Sequence, residues 1–485
     1  MSRFQIPLRL PAHAQSGVNV GAVCVLTGAA VWAFGSAGVG VACALAVAML
    51  VPQWLYAHLS GRERSGGVLL AVVGALLAVW AFSNIYQWTA AVGHSLSEPQ
   101  LVSDAMGYFR WAHNHYHDLP QDCDTKFVGF PLVIALLWSV LGQNIAWPIA
   151  LNVMLTLLCI VATGQVACRV LDGKVGESRR RIALFTMAGT SMLLYFMSHA
   201  TLLLKEPLTY FAVAVAALAI ARMKHSAPQG KMWTDVVAFA CAIAILAIAR
   251  TGVIYFVMAG VVLAFADCRR MWRYAFTLIG IALIGLGIGI YFSNGFSAEV
   301  QMRIIAGSYN GGDIMGKVYV AQDAYTQIFA QYHSLPVWQK ILLLPATCVV
   351  QIFIPFPWAG VEGTSIASIA TRFQWGWYAI AGIGMFYLFV CSWRKRALGW
   401  WGLWPFVCFA AAAFSTGGAV SRYALPYQPL MVIVAVWVVC EVRKSTWRRT
   451  FGVWCVAYAI SVAAILAYSY AQTHCPPEED IKSYL

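Results

Sequence analysis

One pattern limits the fold of this chain more than any other. Apolar runs long enough to cross a bilayer follow one another from near residue 18 to near residue 471. A helix needs roughly 17–25 apolar residues to traverse a hydrocarbon core of about 30 Å. Runs of that kind fall near 18–36, 38–59, 68–86, 146–168, 182–201, 207–223, 233–249, 251–266, 274–292, 375–393, 399–415, 424–440 and 450–471. The expected fold class is therefore an all-α polytopic membrane protein with about 13 transmembrane helices, plus interfacial helices on one face. Only 11% of the 485 residues are charged, against about 25% in soluble chains, which excludes an ordinary soluble domain. No persuasive cleavage site follows the first run, so it is read as mature structure. The thirteen cysteines show no CxxC pairing and sit mostly inside apolar runs, where Cys behaves as a small hydrophobe.

Charge sets the orientation. Basic clusters occur at Arg62/Arg64, from Lys174 to Arg181, at Arg222/Lys224/Lys231, at Arg269/Arg270/Arg273, from Arg394 to Arg396 and from Arg443 to Arg449. Assigning them all to the cytoplasm gives a consistent path with the N-terminus inside and the C-terminus outside. On that path 22 of 32 Lys and Arg lie inside and 13 of 19 Asp and Glu outside. The net charge of +13 thus marks membrane sidedness and does not call for nucleic acid. Two further apolar stretches would upset the path if they crossed. Gly129–Leu141 is short and would put the SRRR cluster outside, and 341–358 is broken by Pro345, Pro355 and Pro357. Both read as interfacial or re-entrant segments on the outer face.

The outer face carries the chemistry. The passage 103–131 is the most polar and least periodic of the first three hundred residues, with four Asp, three His, Arg110 and Lys126. Asp104, Tyr108 and Ala112 recur at i, i+4 and i+8 and so share one side of a helix. A carboxylate there either takes a proton from an acceptor hydroxyl or caps a juxtamembrane helix. Lys126, just ahead of Gly129-Phe130-Pro131, meets a lipid phosphate as a point charge or simply snorkels to headgroups. Lys205-Glu206-Pro207 interrupts an apolar hairpin, and ionisable residues at such depth face a cavity or a partner. Arg250, between two apolar runs, and Arg422 in SRYALP each suit a phosphate or diphosphate, or else a structural carboxylate. His113 and His117 stand at the i, i+4 spacing of metal ligands. With Asp104 or Asp118 they are candidates for a divalent ion, the one cofactor considered; no other is implied. Cys123 and Cys475 both fall outside, where a disulfide between them is an open expectation.

Taken in order, these residues resemble the GT-C superfamily of polyprenyl-phosphate-dependent glycosyltransferases, nearest in style to its aminoarabinose transferase and protein mannosyltransferase branch. The resemblance rests on Asp104-xxx-Tyr108-xxx-Ala112, on Lys126-xx-Gly129-Phe130-Pro131, on Glu206-Pro207 for the second outer acidic motif, on Arg250-Thr251-Gly252, and on the segment from Arg422 to Pro429. It covers roughly 68–275 and 415–440. It departs at Ala105, where many members carry a second acid, and at Thr125, where some carry a metal-binding Glu. The large soluble C-terminal domain of several branches is also missing.

The apolar runs and the resemblance together divide the chain into four parts: two N-terminal transmembrane helices in 1–67, which are extra to the family's usual first span; a GT-C-like core in 68–292 with its first outer loop at 87–145; an extracytoplasmic loop and interfacial segment in 293–374; and C-terminal transmembrane helices with a short outer tail in 375–485. The resemblance implies sugar transfer from a polyprenyl-phosphate donor to an extracytoplasmic glycan, lipid or protein acceptor, in the plasma membrane (a bacterial inner membrane) and among its lipids. Asp104 and Glu206 would be catalytic, Lys126, Arg250 and Arg422 would hold the donor phosphate, and Tyr108 and Lys205 would line the acceptor site. Two alternatives stay open: a polysaccharide polymerase or ligase using a polyprenyl diphosphate, and a transporter or lipid flippase.

Overall fold

The computed structural model describes residues 13–59, 64–101, 103–119, 129–172, 178–225, 232–266, 272–292, 332, 335–353, 374–391, 398–416, 423–442 and 448–474. Among them there is no strand. The helices are α1 (Ala14–Phe34), α2 (Ala37–Leu59), α3 (Arg64–Trp88), α4 (Ser103–Tyr116), α5 (Gly129–Leu141), α6 (Ala146–Val170), α7 (Arg179–Ser191), α8 (Leu194–His199), α9 (Glu206–His225), α10 (Met232–Ala249), α11 (Val253–Phe265), α12 (Trp272–Phe292), α13 (Val337–Phe353), α14 (Trp375–Phe386), α15 (Trp400–Thr416), α16 (Gln428–Val442) and α17 (Arg448–His474). Eight helical stretches among the described residues are long and apolar enough to cross a membrane, so the protein is membrane-embedded.

The centre of the bundle is α6 packed on α9, with α2 and α7 on the other sides of α6 and α10 on the far side of α9. The α6 and α9 spans are each 78% buried, whereas α1 is 11% buried and sits at the periphery. Polar groups fasten that outlying helix. Asn19 and Gln53 exchange amide hydrogen bonds of 2.8 and 3.1 Å, and Gln15 donates to Gln53 at 3.0 Å. Inside a membrane, where apolar packing gives little preference between helix and lipid, such side chains act as glue.

Two expectations are adjusted. The stretch 182–201 is not one span: α7 stops at Ser191, α8 resumes at Leu194, and the chain unwinds again over 200–205. Backbone crowding accompanies the first break, because a methyl on Gly376 at the start of α14 would overlap the Met192 carbonyl. The segment expected at 341–358 begins earlier, as α13, and carries Pro345 inside the helix. Gly129–Leu141, by contrast, is a helix with those bounds. At about 1.5 Å per residue its 13 residues span about 20 Å, short of a bilayer core.

The bundle has chemically distinct ends. At one, Arg222 pairs with Asp235 at 3.0 Å, Lys224 donates to the Ala264 carbonyl, Arg179 pairs with Asp172, and Arg180 reaches Ser65 at 3.5 Å. The opposite end gathers the C-terminal part of α3, the N-terminus of α9, the α10–α11 turn and the segment leading into α16. The functional candidates lie there.

Candidate functional site

The site begins at the break before α9. Asn84, from α3, donates to the carbonyl and hydroxyl oxygens of Thr201 at 3.1 and 2.9 Å. Asn152, from α6, donates to the carbonyls of Leu202 and Leu204 at 2.8 and 2.9 Å. Non-helical backbone at membrane depth needs such partners. The chain then enters α9 through Lys205, Glu206 and Pro207, all buried; proline suits a first helical turn because its missing N–H would be unpaired there anyway.

Arg250-Thr251-Gly252 forms the tight turn between α10 and α11, with Arg250 N–H still donating to Leu246 at 2.8 Å and Val253 N–H returning to the Arg250 carbonyl at 3.0 Å. The turn aims Arg250 at the start of α9, where its Nη1 lies 3.7 Å from Glu206 Oε1; the two side chains are 9% and 2% exposed. That distance makes an ion pair without a good hydrogen bond. The Tyr423 ring covers the guanidinium, 4.0 Å from Cζ to the ring centroid. Tyr210 and Tyr427 are close enough to Arg250 to interact with its charge. Among the described residues neither hydroxyl finds a hydrogen-bond partner.

The helix α4 closes the site from another side. Its Asp104–Tyr108–Ala112 face turns inward as the spacing predicts: Tyr108 and Ala112 are buried and Asp104 is half-buried in the first turn. Tyr108 packs edge-on to Phe130 at 5.6 Å between centroids, and Lys205 Nζ sits 5.8 Å above the Tyr108 ring. The start of α5 lies hard against α10, since a methyl at Gly129 would overlap the Ile248 carbonyl. Tyr108, Lys205, Glu206 and Arg250 therefore come from three chain segments and are linked by Tyr108–Lys205 and Glu206–Arg250, with Asp104 one turn before Tyr108 on α4.

His113, near the end of α4, and His117, in the turn just after it, lie side by side, 4.5 Å between ring centroids. Gln143 engages both rings: its Nε2 meets His113 Nδ1 at 2.9 Å, and its Oε1 meets His117 Nε2 at 2.8 Å. The same Nε2 donates to the Ser97 carbonyl at 2.7 Å. A metal on His113 Nδ1 or His117 Nε2 would have to displace that amide. Among the described residues no group of three or more His, Cys, Asp or Glu gathers to hold an ion.

Lys126, Arg422, Cys123 and Cys475 lie outside the described residues. Motif reading missed Tyr423, Asn84, Asn152 and Gln143. The two asparagines carry a signal that motif reading passes over, a lone carboxamide inside an apolar run. An apolar cavity of about 260 Å³ lined by Pro345, Ile352, Trp377, Phe409 and Met431 includes none of these polar groups. Comparison with protein-family models, curated proteins and solved structures finds no match.

Proposed function

We propose that this protein is an integral membrane glycosyltransferase that moves a sugar from a polyprenyl-phosphate donor to an extracytoplasmic acceptor with inversion. The observation that carries the reading is the buried Arg250–Glu206 pair, set beside Lys205 and the inward face of α4 at the end of the bundle remote from the paired basic residues. On this reading that end faces away from the cytoplasm and the N-terminus lies inside.

The chemistry follows from the residue types. The acceptor O–H gives its proton to the Asp104 carboxylate as its oxygen forms a bond to the anomeric carbon. The bond from that carbon to the phosphate oxygen breaks, and its electron pair leaves on the polyprenyl phosphate. Phosphate is already a good leaving group, so one base suffices. Arg250, with Lys126 and Arg422, absorbs the developing negative charge at a site poor in water, where fixed cations act most strongly. Glu206 orients the acceptor and holds Arg250 in place, while Tyr108 and Lys205 line the acceptor side.

The experiment is transfer by the purified protein in lipid vesicles, with a panel of polyprenyl-phosphate sugars, alongside Asp104→Asn and Glu206→Gln. Transfer by the wild type and its loss in Asp104→Asn are expected. A folded Asp104→Asn with wild-type transfer overturns the catalytic assignment. A protein that moves a solute across vesicles and consumes no lipid-linked sugar is a transporter.

The burial of Arg250 beneath Tyr423 also suits a polymerase or ligase that draws its glycan from a polyprenyl diphosphate. There the arginine would be essential and Asp104 dispensable, and the same two substitutions, with Arg250→Lys added, separate the readings.

A further inference from the structure

The unwound stretch 200–205 is held by two asparagines that packing alone would not select. Asn84 and Asn152 are 6% and 0% exposed and sit on predominantly apolar helices. A carboxamide has two N–H donors. Asn152 uses its nitrogen for two main-chain carbonyls, Leu202 and Leu204, and Asn84 divides its own between the carbonyl and hydroxyl of Thr201. These acceptors fix which end of each amide is nitrogen. They also precede Glu206 by five, four and two residues, so the clamp stops just where the reactive side chains start.

The length of the break is what makes the clamp matter. A residue that turns helical rises about 1.5 Å, against about 3.3 Å when extended. If the carbonyls of Thr201, Leu202 and Leu204 were released to seek helical partners, the break would shorten and pull on the start of α9. Glu206 would then be drawn off Arg250, and Lys205 off the Tyr108 ring. We propose that Asn84 and Asn152 are positioning residues: by satisfying the carbonyls of Thr201, Leu202 and Leu204 they hold the break between α8 and α9 in the one register that presents Glu206 to Arg250 and Lys205 to Tyr108. The proposal rests on the reading of this end of the bundle as the reactive one, and it concerns groups that touch no substrate themselves.

Asn152→Leu and Asn84→Leu in the full chain, in lipid nanodiscs, test it by two readouts. The first needs no activity: the infrared carboxyl band of Glu206, assigned by subtracting the spectrum of Glu206→Gln, is expected to shift in both variants as the contact with Arg250 changes. The second is sugar transfer. A misplacement of about 1 Å lowers turnover on the order of 100-fold, so kcat should fall by about that factor with the KM for donor little changed. In the Glu206→Gln background Asn152→Leu should cost less than it does in the wild type, the remainder coming through Lys205. An unchanged Glu206 band in folded Asn152→Leu overturns the proposal, as does an equal further fall in kcat in the Glu206→Gln background. Where the wild type transfers no sugar, the functional reading fails and the infrared band still decides the clamp. Where Asn152→Leu does not fold, Asn84→Ser takes its place, with the same band shift expected and an unshifted band overturning it.

Discussion

Arg250 and Glu206 face each other across 3.7 Å with both side chains almost wholly withdrawn from the surface. Burying two ions costs several kcal/mol each, and removing one partner strands the other, typically at about 3–5 kcal/mol. Arg250→Met should therefore destabilise the fold strongly, and Glu206→Leu in the same chain should recover part of the loss. Thermal unfolding of both single variants and the double variant in one detergent gives the coupling, expected to exceed about 1 kcal/mol. Strictly additive losses would show that the two charges do not sense each other.

The ring of Tyr423 over the guanidinium makes a narrower prediction. A desolvated cation over an aromatic face is worth up to about 2 kcal/mol, and the phenol oxygen adds little to that attraction. Tyr423→Phe should retain wild-type stability, whereas Tyr423→Leu should lose about 1–2 kcal/mol in the same unfolding assay. Equal behaviour of Phe and Leu would mean that the ring only fills space.

Gly129 predicts a steric effect. Its Cα lies so near the Ile248 carbonyl that any side chain must push α5 away from α10, two residues before Arg250. Because main-chain atoms do the blocking, relief requires a backbone shift, and overpacking of this kind costs about 1–3 kcal/mol. Gly129→Ala should lower the unfolding temperature and expose Phe130, now fully buried, to quenching or proteolysis of α5. Gly142→Ala is the control for α5: its Cβ would meet open space, although its positive φ of 82° brings a local strain of its own.

Much of this was legible in the residues, and the exceptions have physical causes. The uniform apolarity of the runs makes spanning helices unavoidable, and the inward face of α4 follows from the spacing of Asp104, Tyr108 and Ala112. The break at 192–193 was not legible, because it accompanies the approach of Gly376 from nearly two hundred residues away. Sequence also treats Arg250 and Glu206 as separate candidates for a ligand. Only the folding of α10 and α11 into a hairpin beside α9 brings them together. Tyr423 stays hidden for a similar reason: a tyrosine beside an arginine motif looks like an interfacial anchor until the distant cation beneath it is placed. Gln143 belongs to no motif, yet it bonds two histidines at once.

That last residue leads to a pH dependence. The Gln143 nitrogen has two hydrogens; one goes to the Ser97 carbonyl, so the other points at His113 Nδ1. An acceptor nitrogen carries no proton, and His113 must be neutral while the contact lasts. Burial against α4 and α5 pushes the His113 pKa below its usual 6.5, and nearby His117 pushes it further, while Glu98 pulls the other way. The segment carrying Glu98 is held near the pair through Gln143, whose Nε2 donates to the neighbouring Ser97 carbonyl at 2.7 Å. The unfolded histidine takes up its proton first as pH falls, so the unfolded state binds more protons and stability drops with pH. The loss should start as pH passes below about 6.5 and level off under the folded pKa, with full docking of α4 retained above neutrality. Hydrogen exchange of the α4 amides, followed from pH 8 to pH 5, should show this as protection that declines on the acid side. His113→Asn removes the titrating group and should flatten the profile. Protection that rises on acidification, or a slope unaltered by His113→Asn, would show that His113 is not the group behind the loss.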